Sequence, residues 1–443
     1  MTHRKNLFLI LLLFQISFIP AFSQKITIDK NKPLRKEWFQ DLALGMFIHW
    51  NIDVTYGAVI SHSLAASSRE YQEKYFHDLP ELFNPMHFDP GAWATLARIA
   101  GMKYVVFTAK HHNGFCMWDT RTTKFKVTNT PFGKDVLKEV IAAFRKEGIA
   151  IGLYFSPDDF HIMFEQGLPV SRATPESEAT RNSELWETDK AQLKELLTGY
   201  EKIDILFIDE NSDWANMLVA NYAWQLNPDL VITRGGMPTP EKFIPDEPTK
   251  APWEACMTIG RHWQYVGSDY DKDATTLIEH LVEIRAKGGN LLLNVGPDAS
   301  GRIPESQQVR LREIGLWLLA NSSSVYNTRP GDFYIENDIW FTQSKDKKKI
   351  YAFLNGADWG RMQSRAFLLP CIMGGNKTKV TVLGQGGGIS EYNPTLKTAP
   401  IYKATDDGLF ISVIRAHRLN DTWDNPIVLQ IENARFRENK NKY

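Results

Sequence analysis

The chain has 443 residues, enough for more than one domain and a large buried core. Its formal charge is −1 with 23% charged residues, which argues against nucleic acid or an anionic surface as the partner. Three scattered cysteines, Cys116, Cys256 and Cys371, support neither a disulfide framework nor a cysteine metal site.

The N-terminus reads as an export signal over residues 1–23. His3-Arg4-Lys5 supply positive charge, an apolar stretch runs from Leu7 to Ile19, and small residues precede Gln24. The stretch is short for a membrane span, so no span is expected after cleavage. The mature protein is then periplasmic or extracellular, or in a lysosome-like compartment in a eukaryote.

From 24 to about 330, apolar strand-like runs alternate with helical patterns, which argues for α/β architecture. The runs fall at 44–49, 104–108, 149–155, 203–209, 230–233, 254–257 and 290–295. Between them Trp93, Leu96, Ala97 and Ala100 share a helix face that Gly101 ends. Asp135 caps a second helix, with Leu137, Val140, Ile141 and Phe144 on one side and Gly148 beyond it. Leu193, Leu196, Leu197 and Tyr200 repeat the pattern, as do Leu277, Leu281 and Ile284 before Gly288-Gly289. Seven strands with intervening helices predict a (β/α)8-like barrel, irregular where the helix signal between 234 and 254 is poor. Over 331–443 the runs become short, alternating and punctuated by turns such as Asn355-Gly356. A separate C-terminal antiparallel β-sandwich domain is expected there.

Ile203-Asp204-Ile205-Leu206-Phe207-Ile208-Asp209 carries an acid where a doubly buried strand stops. A parallel barrel keeps its chemistry at that end, so Asp209 is the candidate reacting carboxylate. A single strand-end Asp is more often a turn former, and a single His a satisfied structural group. The same polar bias recurs, however, in His49, in Lys110-His111-His112-Asn113, in Tyr154 and Ser156, and in Arg234. Adjacent strand residues face opposite ways, so His111 and His112 are expected to read hydroxyl groups rather than share a metal. No metal or other cofactor is called for. Paired carboxylates without a cofactor motif suit glycoside hydrolysis, in which a second acid protonates the leaving oxygen. Glu241, in a loop, Glu254, at a strand start, and Glu70 are the candidates.

These residues resemble the α-L-fucosidases of glycoside hydrolase family 29. The resemblance is carried in order by Gly45-Met46-Phe47-Ile48-His49-Trp50, Phe83-Asn84-Pro85, Thr108-Ala109-Lys110-His111-His112-Asn113-Gly114-Phe115, Gly152-Leu153-Tyr154-Phe155-Ser156, Trp253-Glu254 and Gly288-Gly289-Asn290-Leu291-Leu292-Leu293-Asn294-Val295-Gly296-Pro297. It implies a retaining exo-enzyme that cleaves terminal α-L-fucosyl residues from fucosylated oligosaccharides or glycoconjugates. Asp209 matches the nucleophile, while His49, Glu70, His111, His112, Tyr154 and Arg234 match positions that contact sugar hydroxyls or the nucleophile. Trp263 matches an aromatic near the C6 methyl. Thr239-Pro240-Glu241 resembles the acid/base segment, with Glu254 as the alternative. The chain departs from the family pattern at Tyr71, Asn51, Asn113, Phe207 and Glu210. Rival readings are hydrolysis of a related sugar such as an α-L-galactoside, and an inactive carbohydrate-binding homologue.

Overall fold

A computed structural model describes residues 29–249, 251–360, 362–385, 397–415 and 424–438. The expected export signal lies outside them. All seven expected strands form one parallel sheet: β1 Leu44–Ile48, β2 Tyr104–Lys110, β3 Ala150–Phe155, β4 Ile205–Ile208, β5 Val231–Ile232, β6 Trp253–Thr258 and β7 Gly289–Val295. The spatial order is β5-β4-β3-β2-β1-β7-β6, so the sheet curls with β5 and β6 as its edges.

The irregular stretch is where the barrel departs from eight regular units. After β5, residues 238–242 run beside β6 without regular strand structure. Glu254 N donates to Pro238 O (3.1 Å), Cys256 N to Pro240 O (3.1 Å) and Lys242 N to Cys256 O (3.0 Å), and Glu241 forms a parallel bridge with Cys256. The loop that carries Glu241 is therefore tied to the sheet edge.

Nine helices are present among the described residues: α1 Pro33–Leu42, α2 Arg69–His77, α3 Pro90–Ile99, α4 Val136–Lys146, α5 Phe160–Glu165, α6 Ser183–Thr198, α7 Asp213–Leu226, α8 Ala274–Ala286 and α9 Glu305–Asn321. Their ends follow the sequence signals. The Asp135 carboxylate accepts from Lys138 N at 2.9 Å, and Gly101 and Gly148 stop their helices with φ of 82° and 71°.

Two-residue alternation divides each strand between two cores. Phe47, Tyr104, Val106, Tyr154, Ile205, Phe207, Val231, Cys256 and Leu292 point into the barrel, where Phe39 of α1 joins them. Met46, Ile48, Val105, Phe107, Leu153, Leu206 and Ile208 point outward against the helices. Asp209, one step of alternation beyond Phe207, thus inherits the inward direction. Asn290 Nδ2 donates to Phe39 O (2.6 Å), which ties the motif at the start of β7 to α1.

The C-terminal strands begin at Thr328. A five-stranded antiparallel sheet in the order β13-β16-β10-β9-β8 uses β8 Thr328–Glu336, β9 Ile339–Ser344, β10 Lys349–Leu354, β13 Lys379–Val382 and β16 Ile427–Glu432. A three-stranded sheet, β11-β15-β14, uses β11 Ser364–Leu369, β14 Ile401–Thr405 and β15 Gly408–Ile414. β12 Ile372–Met373 pairs with β17 Arg435–Phe436. Ile350, Ala352 and Leu354 pack toward Ile411 and Val413 inside the sandwich, while Tyr351 and Phe353 join the barrel core. Arg285 of α8 is fully buried at the junction and donates to the carbonyls of Gly289 (2.6 Å), Val325 (3.1 Å) and Thr328 (3.1 Å).

Candidate active site

The C-terminal ends of the strands enclose a cavity of about 320 Å³. It is lined by His49, His111, His112, Tyr154, Asp209, Arg234, Glu241 and Trp263, among others. Eight of the ten sequence-predicted residues therefore come together. A volume of this size suits a single sugar ring.

Asp209 lies at the end of β4, where Phe207 pairs with Tyr154 of β3. The Tyr154 hydroxyl donates to its Oδ2 at 2.7 Å, and His112 Nε2 is 3.5 Å from the same oxygen. Arg172 and Arg234 stand 3.6 and 3.8 Å from Oδ1. Burial alone would raise this carboxyl, but His112, Arg234, Arg172 and the Tyr154 hydroxyl outweigh it. They hold the group well below the usual carboxylate range. Asp209 is thus an ionised, oriented carboxylate at any working pH.

The histidines are neutral. Burial lowers His49 and His112 to about 3 and takes His111 well below its ordinary value. His49 Nδ1 lies 2.6 Å from Asn294 Oδ1, and Asn294 Nδ2 donates to Trp263 O at 2.7 Å. The amide's orientation is therefore set, so His49 carries its proton on Nδ1 and offers Nε2 as an acceptor. His111 Nδ1 is 2.7 Å from Ser61 Oγ, and His112 Nδ1 is 2.6 Å from Ser156 Oγ.

The expectation that His111 and His112 face opposite ways is corrected. β2 ends at Lys110, whose ammonium turns outward to Asp189 (3.1 Å) and Asp159 (3.5 Å). The two histidines follow in a turn and both enter the cavity, with ring centroids 4.1 Å apart. Gly114, at φ 83°, permits that turn; a Cβ there would lie 2.2 Å from Asp159. His111, His112 and Asp209 bring one ligand atom each within 4.8 Å of one another, the only such acidic or histidine group among the described residues. With two guanidinium groups already beside the carboxylate, this donor set suits a ring of hydroxyls better than a cation.

The candidate acids separate clearly. Glu241 accepts from Arg234 Nη1 at 2.9 Å and from Trp263 Nε1 at 3.1 Å, and it stays 38% exposed at the cavity. The same Arg234 nitrogen is 3.8 Å from Asp209 Oδ1, so these two carboxylate oxygens lie no farther apart than the sum of 3.8 and 2.9 Å. Glu254 is fully buried inside the barrel and accepts from the Tyr104 hydroxyl at 2.6 Å. It does not line the cavity.

Glu70 is not brought to the site. It lies in the first turn of α2, whose Gln72, Tyr75 and Phe76 face inward. Its side chain is 80% exposed and pairs with Lys74 at 2.8 Å. Ser61 and His62, a few residues earlier, occupy the region instead. Ser61 supports His111 and His62 lines the wall. Asn113, which departs from the family pattern, is structural. Its Nδ2 donates to Asp53 Oδ2 (2.7 Å) and Asn51 Oδ1 (3.0 Å).

Sequence reasoning missed Arg172, His62, Asn211 and Lys242. Lys242 adjoins Glu241 and Asn211 follows Asp209 by two positions, so proximity was a usable signal for both. His62 opens a three-residue 3-10 turn and Arg172 sits in an irregular segment, and neither has such a signal.

A family model described as alpha-L-fucosidase matches residues 20–323. An alpha-L-fucosidase of Dictyostelium discoideum is 30% identical, with 82% of this chain and 87% of that protein covered. The plasma alpha-L-fucosidase of Rattus norvegicus is 28% identical over 79% and 83%. Among solved structures, alpha-L-fucosidase isoenzyme 1 from Paenibacillus thiaminolyticus superposes with a TM-score of 0.73 at 29% identity, covering 91% of this chain and 99% of that one. With an ionised carboxylate, a second acid across one arginine and neutral histidines around a sugar-sized cavity, the chain belongs to the α-L-fucosidase family, glycoside hydrolase family 29.

Proposed function

We propose that the protein is an exported retaining exo-α-L-fucosidase acting on terminal α-L-fucosyl residues of oligosaccharides or glycoconjugates. Asp209 attacks C1 as Glu241 protonates the leaving oxygen, which gives a covalent glycosyl-enzyme. Glu241 then takes a proton from the water that releases the sugar with its configuration retained. The observation that carries this reading is the Arg234 bridge. It limits the nearest oxygens of Asp209 and Glu241 to a spacing that accommodates the roughly 5–5.5 Å of retaining enzymes.

His49 Nε2 and the rings of His111 and His112 are placed to read hydroxyl positions. Trp263, 5.8 Å from Phe47 between ring centroids, offers with Phe207 an apolar wall suited to a methyl rather than a hydroxymethyl group. That wall favours fucose over L-galactose. Export follows from the N-terminal sequence and accords with relatives that include a plasma enzyme. No described helix is long and apolar enough to cross a membrane.

The test is hydrolysis of an aryl α-L-fucoside, with the product anomer followed by NMR. Wild type should release α-L-fucose first. Asp209→Ala should lose at least about 10³-fold in kcat. Glu241→Ala should lose about 10²–10⁴-fold and recover with azide as the α-azide. An inactive wild type, or β-fucose as first product, overturns the proposal.

A further inference from the structure

Arg172 belongs to none of the recognised motifs. It lies between α5 and α6, a stretch that holds one short 3-10 turn at Pro175–Ser177. Its head group is nevertheless held by two hydrogen bonds and an ion-pair contact. Nε donates to Asp158 Oδ2 at 2.5 Å, Nη2 donates to the main-chain oxygen of Asp209 at 3.1 Å, and Nη2 stands 3.6 Å from Asp209 Oδ1. Ser177 Oγ donates to the Arg172 carbonyl at 3.3 Å and anchors its backbone. Asp158 is buried and held in turn: Ser156 Oγ donates to its carbonyl at 3.2 Å, and its Oδ2 is 3.4 Å from His112 Nδ1. One side chain from outside the barrel sheet thus touches both the peptide and the carboxylate of the residue that attacks C1.

We propose that Arg172, braced by Asp158, is a positioning residue that fixes the rotation of the Asp209 carboxylate toward the sugar. The proposal rests on the reading of Asp209 as nucleophile. Tyr154 holds Oδ2 from β3, and Arg172 holds the Asp209 carbonyl with its charge 3.6 Å from Oδ1, which is left oriented without a direct hydrogen bond from either arginine. Arg172 itself exchanges no proton and forms no bond with substrate carbon.

The groups that face Asp209 are His49 after β1, His111 and His112 after β2, Tyr154 on β3, Asp158 and Arg172 beyond it, Glu210 next in the chain, Arg234 after β5, and Glu241 and Lys242 beside β6. Because burial keeps the histidines neutral, the two guanidinium groups are the charges nearest the carboxylate at neutral pH.

The experiment measures kcat/KM for an aryl α-L-fucoside against pH in full-length wild type, Arg172→Met, Arg172→Lys and Asp158→Asn. Arg172→Met should lose about 10- to 100-fold at neutral pH, the scale of a charge-assisted hydrogen bond. Wild type should show no acidic limb from Asp209 in the measurable range, and Arg172→Met should raise that limb toward it, because a cation that favours ionised Asp209 is gone. Arg172→Lys should restore the limb but not kcat, since a point charge cannot hold the Asp158 carboxylate and the Asp209 carbonyl together. Asp158→Asn removes an acid and should not raise the limb. A second readout needs no turnover: the Asp209 carboxyl signal in ¹³C-aspartate-labelled protein, identified by its loss in Asp209→Asn, should titrate higher in Arg172→Met. Loss of activity with an unmoved limb and an unmoved carboxyl titration would mean a merely structural arginine and overturn the proposal. An inactive wild type would instead overturn the fucosidase reading and leave the titration as the deciding measurement.

Discussion

Glu254→Gln tests the burial of Glu254 and the choice of acid/base in one variant. Glu254 is completely enclosed, and its Oε1 has no well-formed hydrogen bond among the described residues. Burial raises its carboxyl from 4.5 to about 7, against the opposing pull of the Tyr104 and Thr233 hydroxyls. Between those two pH values the native state keeps a proton that the unfolded chain has released. The stability contributed by this group is therefore fully present below about pH 4.5 and is lost as pH rises through about 7. At about 1.4 kcal/mol per pH unit, the loss approaches about 3 kcal/mol. Glutamine removes the charge and keeps an oxygen for Tyr104. The variant should therefore gain about 3 kcal/mol on wild type between pH 4.5 and pH 8, measured by urea unfolding at both values. A stability gap that does not change with pH would refute the reasoning. The amide also cannot donate a proton to a leaving group. Hydrolysis of an aryl fucoside within about threefold of wild type leaves the acid/base role with Glu241, whereas a loss of about 10²–10⁴-fold would transfer it to Glu254.

Glu70→Ala should leave kcat/KM within about twofold of wild type, because its carboxylate faces solvent on α2; a larger loss, measured with the same fucoside, would mean that α2 turns inward on binding. His49→Phe should lower kcat/KM by about 10- to 100-fold by removing a buried acceptor. The wild-type profile should show no limb near pH 6.5 from this histidine, since burial keeps it neutral down to about pH 3. Lys110→Met strands Asp189 and Asp159 in the interior and should cost about 3–5 kcal/mol in urea unfolding.

The barrel was legible because each strand is a run of apolar residues buried on both faces, and such runs stand out without knowledge of their neighbours. The seven observed strands begin and end within two residues of those expected. The short strands β11, β14 and β15 were not singled out. Their exposed and buried residues alternate over five to seven positions, and turns interrupt them closely. The polar residues at the strand ends were legible for the same local reason. Once Phe207 faces inward, Asp209 must, and Tyr154 meets it through the strand register. The opposite-face argument for His111 and His112 failed because it extended strand geometry one turn beyond the strand.

Sequence alone marked the seven strands along the chain, the strand ends where polar residues collect, and Asp209 as the candidate carboxylate among them. All three are read from apolar runs and alternation, which act over a few residues. Tertiary structure alone decided which glutamate lines the cavity, that Glu70 points away, and that Arg172 reaches the Asp209 carbonyl across 37 positions of chain. These outcomes depend on how segments without regular hydrogen bonding settle against the completed barrel. Their contacts are set by the shape and charge of distant surfaces, so no local pattern records them.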